Sequence, residues 1–125
     1  MHIVTATLLV GLGGFAGAVS RWGLGSAIKS ALGEPAFPYP TFVINLLGCF
    51  AIGIAYALWE TNAVLRLLVV VGFLGGFTTF SAFGLEALGL IRGGAIASAA
   101  AYVGLSAASG VLLVWAGMKV AQTVA

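Results

Sequence analysis

The side chains that could do chemistry in this chain are uncharged polar groups inside long apolar stretches. Amide and hydroxyl groups are hydrogen-bond donors, and such donors can replace water around an anion. Each Ser or Thr can instead donate to the carbonyl four residues earlier in its own helix, which is a purely structural role. The amide of Asn45 cannot be fully satisfied by its own helix, so a functional role stays open for it. The whole set is Thr41, Asn45, Thr78, Thr79, Ser81, Ser106 and Ser109.

Helical spacing places some of these groups on shared faces. Thr41 and Asn45 are four residues apart, so they would lie on one face of a helix. Tyr102 and Ser106 have the same separation. Two helices would therefore each carry a pair of polar groups on one face.

Two phenylalanines in the third apolar stretch are also spaced for a shared face. Phe80 and Phe83 are three residues apart, on one face if the chain is helical there. An aromatic ring has a negative face and a positive edge, so two ring edges could stabilise an anion without a full charge. The alternative is that both rings pack against lipid or neighbouring helices.

The same stretch contains a glycine-rich segment, residues 72–81, with the sequence GFLGGFTTFS. Paired glycines are poor helix formers, and threonine hydroxyls compete for backbone groups. We therefore predict a broken or unwound helix near the middle of the membrane. Carbonyls exposed at such a break could coordinate a cation if they are buried in protein. Alternatively, the glycines only allow helices to cross closely.

The reactive and charged residues exclude several classes of function. Cys49 and His2 are the only residues of their types, which argues against a disulfide, a His/Cys metal site or a catalytic constellation, and hence against an enzyme. The five cations form no basic run that could bind nucleic acid. No Asp, Glu, Lys, Arg or His lies near the centre of a predicted span, and Glu86 lies toward the end of the third. This favours passive permeation or a purely structural membrane subunit.

The composition indicates which elements must position these residues. Of the 125 residues 62% are apolar and 6% are charged, whereas a soluble domain has about 25% charged residues. About 20 apolar residues cross a bilayer as a helix. The sequence therefore predicts an all-α membrane protein with one four-helix transmembrane domain over residues 1–125. The predicted helices are at about 3–28, 40–59, 65–91 and 95–120, with all three prolines in the loop at 33–40.

The flanking charges are too evenly divided to orient the four spans. Arg66 and Lys119 lie on one side, and Lys29 and Arg92 on the other, together with Arg21 if it counts as flanking. One hypothesis is insertion in both orientations and an antiparallel homodimer. The alternative is a single topology set by other factors.

Three segments together resemble the Fluc family of bacterial fluoride channels, also called CrcB proteins. They are residues 13–22 (GGFAGAVSRW), 40–50 (PTFVINLLGCF) and 72–83 (GFLGGFTTFSAF), of which the last is the most specific. The resemblance covers nearly the whole chain. It implies a multi-pass protein of the bacterial inner membrane that exports fluoride passively and so lowers its toxicity. It also implies a dual-topology homodimer with two antiparallel pores in the lipid bilayer.

The resemblance also implies roles for individual residues. Asn45 would be a donor to fluoride, Phe80 and Phe83 would present ring edges, Ser106 would belong to a polar track, and Arg21 would lie in an aqueous vestibule. Ser81 and Thr41 would also line the fluoride pathway. A structural sodium ion would be held at the helix break by backbone carbonyls of Gly75 and Thr78 from both subunits.

Two other classes compete with the channel interpretation. Small multidrug transporters also have about four spans, but that class depends on a carboxylate in its first span, and residues 3–20 contain none. A structural membrane subunit without transport activity is the second alternative.

Overall fold

The computed structural model describes all 125 residues, and every regular element in it is helical. Four helical segments are long and apolar enough to cross a membrane. This confirms the predicted all-α architecture with four potential spans. The segments are α1 (Ile3–Leu32), α2 (Tyr39–Trp59), a third span over Ala63–Arg92, and a last helix over Ile96–Val124.

The first connection is well defined by local sequence. α1 continues past its predicted end near residue 28 to Leu32 and stops at Gly33, whose φ of 71° suits glycine. The Gly33 N–H donates to the Lys29 carbonyl at 2.8 Å. The proline-rich connection then leads into α2, where Pro40 occupies the first turn.

The third span is interrupted, as the glycine-rich segment predicted. It consists of α3 (Ala63–Leu65), a π-helical stretch (Arg66–Leu74), α4 (Gly75–Phe77) and α5 (Phe80–Arg92). The two residues between α4 and α5 are extended, with φ and ψ of −85° and 158° at Thr78 and −147° and 124° at Thr79. The π-helical stretch was not predicted. The last helix, Ile96–Val124, is α6 and runs past its predicted end near residue 120.

Glycines allow the helices to approach closely at two crossings. A Cβ atom at Gly17 of α1 would collide with the Phe73 carbonyl of the π-helical stretch. A Cβ atom at Gly53 of α2 would collide with the Val114 carbonyl of α6. Small residues at such crossings let backbones pack against one another. The packed pairs α1 with the third span and α2 with α6 form the frame that holds the break.

Candidate functional site

Asn45 of α2 makes a pair of hydrogen bonds, the Asn45 clasp, to the break in the third span. Its Nδ2 donates to the Thr79 carbonyl at 3.0 Å, and the Thr79 N–H donates to its Oδ1 at 2.9 Å. These two bonds satisfy the exposed peptide groups of an extended residue inside an apolar region, where unsatisfied groups are costly. One amide hydrogen of Asn45 is not used in this clasp. The residue therefore both stabilises the break and keeps one donor for a further partner.

The clasp leaves two backbone carbonyls at the break without their helical donors. In a continuous helix the Gly75 carbonyl would accept from the Thr79 N–H, but that N–H donates to Asn45. The Thr78 carbonyl would accept from the Ala82 N–H, which instead donates to the Thr79 hydroxyl at 3.3 Å. Hard cations are bound by oxygen ligands of this kind. The two carbonyls that the family resemblance assigned to sodium are thus available as ligands.

A polar cluster on three helices surrounds Glu86 of α5. The Thr41 hydroxyl of α2 donates to its Oε1 at 2.6 Å, and the Tyr102 hydroxyl of α6 donates to its Oε2 at 2.8 Å. The Tyr102 residue is fully buried. Sequence reasoning placed Thr41 in the site but omitted Glu86, although Glu86 is the only carboxylate within the third span. That single carboxylate was the signal that could have identified it.

The two phenylalanines of α5 have different environments. Their ring centroids are 5.6 Å apart at an interplanar angle of 33°. Phe83 is half-buried and its ring lies 5.0 Å from that of Tyr102. Phe80 is 84% exposed in the single chain. The pair therefore joins the interior of the bundle to its outer surface beside the break.

The predicted serines also differ from each other. The Ser106 hydroxyl is buried and has no hydrogen-bond partner. Buried hydroxyl groups almost always have a partner, so this orphaned donor suits a polar ligand or a water molecule. Ser81 is exposed, and its hydroxyl lies 3.4 Å from the Thr79 hydroxyl.

Most of the predicted site residues line one of two cavities. A larger cavity of about 880 Å³ is lined by Arg21, Lys29, Thr41, Thr79 and Glu86, among others. A smaller one of about 310 Å³ lies at the break and is lined by Asn45, Gly75, Thr78, Thr79 and Phe80, among others. Thr79 lines both cavities. Phe83, Ser81 and Ser106 line neither of the two.

Comparison with known proteins decides the family. The family model described as "CrcB-like protein, Camphor Resistance (CrcB)" matches residues 8–118. The chain belongs to this family. The resemblance inferred from residues 13–22, 40–50 and 72–83 is therefore confirmed.

Several relatives of this CrcB-like protein carry the name fluoride-specific ion channel FluC. One from Methylobacillus flagellatus is 40% identical over 119 residues, covering 92% of this chain and 93% of the relative. One from Acidobacterium capsulatum is 42% identical over 121 residues, covering 94% and 96%. One from Prosthecochloris aestuarii is 42% identical over 122 residues, covering 94% of each. The similarity therefore extends over all four spans.

Proposed function

We propose that this CrcB-like protein is a fluoride-selective ion channel and not an enzyme. It lets fluoride leave the bacterial cell across the inner membrane, down the electrochemical gradient, and so lowers fluoride toxicity. The observation that carries the proposal is the similarity, along more than nine-tenths of the chain, to relatives named fluoride-specific ion channel. Four potential spans, with polar groups collected inside the bundle, agree with a multi-pass channel.

The chemistry of the site supports passive conduction of a small anion. Removing an ion from water into a low-dielectric medium costs on the order of 20 kcal/mol in the idealised estimate. A fixed cation in the pore would offset this cost but would hold fluoride too tightly for rapid exit. The unused amide hydrogen of Asn45 and the orphaned hydroxyl of Ser106 are neutral donors. Neutral donors in series suit conduction because each binds the ion only moderately.

The proposed pathway joins the residues that the resemblance assigned to fluoride. Fluoride enters through the larger cavity, where the Arg21 guanidinium attracts anions. It then passes the donors and the ring edges in the interior. Those residues are Thr41, Asn45, Phe80, Ser81, Phe83 and Ser106.

The functional unit in this proposal is an antiparallel homodimer of oppositely inserted copies with two pores. In this proposal the second copy packs on the exposed apolar face of α5, next to the break. In the dimer the free carbonyls of Gly75 and Thr78 from both copies hold a central sodium ion, whose role is structural. The exposed side chains include Phe80, Leu85, Leu88 and Ile91.

Sodium is expected to stabilise the dimer, because an ion that binds only to the folded assembly raises the stability of that assembly. The dimer fraction is measured by cross-linking and the melting temperature by thermal scans. Both are measured in sodium chloride and in potassium chloride at equal ionic strength. Higher values in sodium are expected, and equal values would contradict the sodium site.

A reporter fused to the C terminus tests orientation, and a signal from one side only would contradict dual topology.

Fluoride efflux from liposomes tests the proposed function itself. Purified protein is reconstituted, and release of internal fluoride is followed with an electrode at pH 7, with chloride release measured in parallel. Rapid fluoride release without chloride release is expected, since a narrow path excludes the larger chloride ion. Absence of fluoride release from folded protein would refute the channel and favour a structural subunit. Release that depends on proton movement would favour a proton-coupled transporter.

A further inference from the structure

Phe37 lies in the proline-rich connection between α1 and α2, outside the residues assigned to the fluoride pathway. The residue is half-buried and lines the larger cavity. Pro35 and Pro38 restrict the backbone around it. The Tyr39 N–H also donates to its carbonyl at 2.9 Å. The position of this ring is therefore set by a short, stiff segment.

The ring of Phe37 packs against the aromatic residues that surround the Glu86 cluster. Its centroid is 5.4 Å from that of Tyr102 at an interplanar angle of 77°. It is 5.5 Å from that of Phe42 at 80°. Both contacts are edge-to-face arrangements, which aromatic pairs prefer. Tyr102 in turn contacts Phe83 of the phenylalanine pair.

This position places Phe37 beside both the larger cavity and the part-buried hydrogen bond between Tyr102 and Glu86. The Tyr102 side chain is 0% exposed, and its hydroxyl holds one oxygen of the Glu86 carboxylate at 2.8 Å. A hydrogen bond of this type is stronger when water is excluded from it. Glu86 lines the same cavity. Tyr102 does not line the cavity and its ring is in contact with Phe37, so we expect loss of the Phe37 ring to give cavity water access to Tyr102 and to its bond with the carboxylate.

We propose that Phe37 is a positioning residue for anion passage. It keeps Tyr102 against Glu86, so that the carboxylate remains bound to its hydroxyl donors and does not stand as a free negative charge in the cavity that fluoride enters. This inference rests on the proposed function as a fluoride channel. It assigns the connection between α1 and α2 a part in conduction, in addition to joining two helices.

The test combines Phe37→Ala with Glu86→Gln in a double-mutant cycle. Fluoride efflux from liposomes is measured at pH 7 for wild type, both single variants and the double variant. Phe37→Ala is expected to lower flux about tenfold, the scale of losing the edge-to-face contacts with Phe42 and Tyr102. Glu86→Gln removes the charge, so adding it to Phe37→Ala is expected to restore flux, and the two effects will not multiply. A general loss of structure would not produce this rescue.

Two further variants control for folding and for aromatic content. Tyr39→Ala removes a ring whose centroid lies 4.8 Å from that of Phe37, at a tilted angle of 51°, but which has no ring contact with Tyr102, and it is expected to retain wild-type flux. Phe37→Trp keeps an aromatic edge and is expected to retain most of the flux. If Phe37→Ala does not elute as a folded protein, Phe37→Leu replaces it in the cycle.

The outcomes separate this inference from the proposed function. No flux in wild type would refute the channel itself. Normal wild-type flux with unchanged flux in Phe37→Ala would refute only the role of Phe37. Multiplicative effects of Phe37→Ala and Glu86→Gln, or an equal loss in Tyr39→Ala, would also overturn it.

Discussion

Phe80→Ile is expected to reduce fluoride flux by about a hundredfold, the scale of removing one preorganised group that stabilises a developing charge in a dry site. Isoleucine keeps the apolar character and much of the volume of the side chain, but it lacks the positive ring edge that would meet the anion. Phe80 is 84% exposed in the single chain, so the change leaves no cavity within the subunit. Efflux from liposomes, with a melting curve for each variant, measures the effect.

A matched substitution separates pore chemistry from membrane packing. Phe15 of α1 is 73% exposed and lies outside the proposed pathway, so Phe15→Ile is expected to keep wild-type flux. Phe83→Ile is expected to lower flux as well, because the ring of Phe83 lies beside that of Phe80. Near-wild-type flux in both Phe80→Ile and Phe83→Ile would refute the aromatic role.

Asn45→Asp is expected to abolish measurable fluoride flux and to destabilise the fold. A carboxylate can still accept from the Thr79 N–H, but it cannot donate to the Thr79 carbonyl, and two acceptors would then face each other. A buried group left unsatisfied costs about 1–3 kcal/mol, and more when it is charged. The new negative charge would also repel fluoride at this point. Efflux and thermal unfolding are both measured.

The same exchange at Asn62 provides the control. Its side-chain oxygen accepts from the Leu65 N–H at the start of α3, and an aspartate can make the same bond. Asn62→Asp is therefore expected to leave flux and unfolding unchanged. Wild-type flux in folded Asn45→Asp would count against Asn45 as a donor. Normal unfolding of that variant would count against the clasp.

The location of the break could be predicted from the sequence, but its stabilising partner could not. Paired glycines followed by two threonines indicate weak helix formation in any context. The clasp joins Asn45 to Thr79, 34 residues further along the chain. Nothing in the spacing of α2 specifies which distant backbone groups its amide reaches. The π-helical stretch was missed for a related reason, since its residues have no distinctive local pattern.

The Glu86 cluster also combines a feature that the sequence predicts with contacts that it does not. The spacing of Thr41 and Asn45 placed two polar groups on one face of α2, and both groups indeed bond to the third span. Glu86 lies toward the end of that span and is not among the site residues that the sequence predicts. In the folded chain it meets a hydroxyl 45 residues earlier and another 16 residues later.

The sequence by itself determined the four apolar helices, the proline-rich connection and the interruption of the third span. These depend on hydropathy, backbone conformation and local hydrogen bonding, all of which act over a few residues. The tertiary structure alone decided which polar groups meet. In an apolar interior a donor and an acceptor must find each other across helices, and their meeting depends on how close glycines allow those helices to pack.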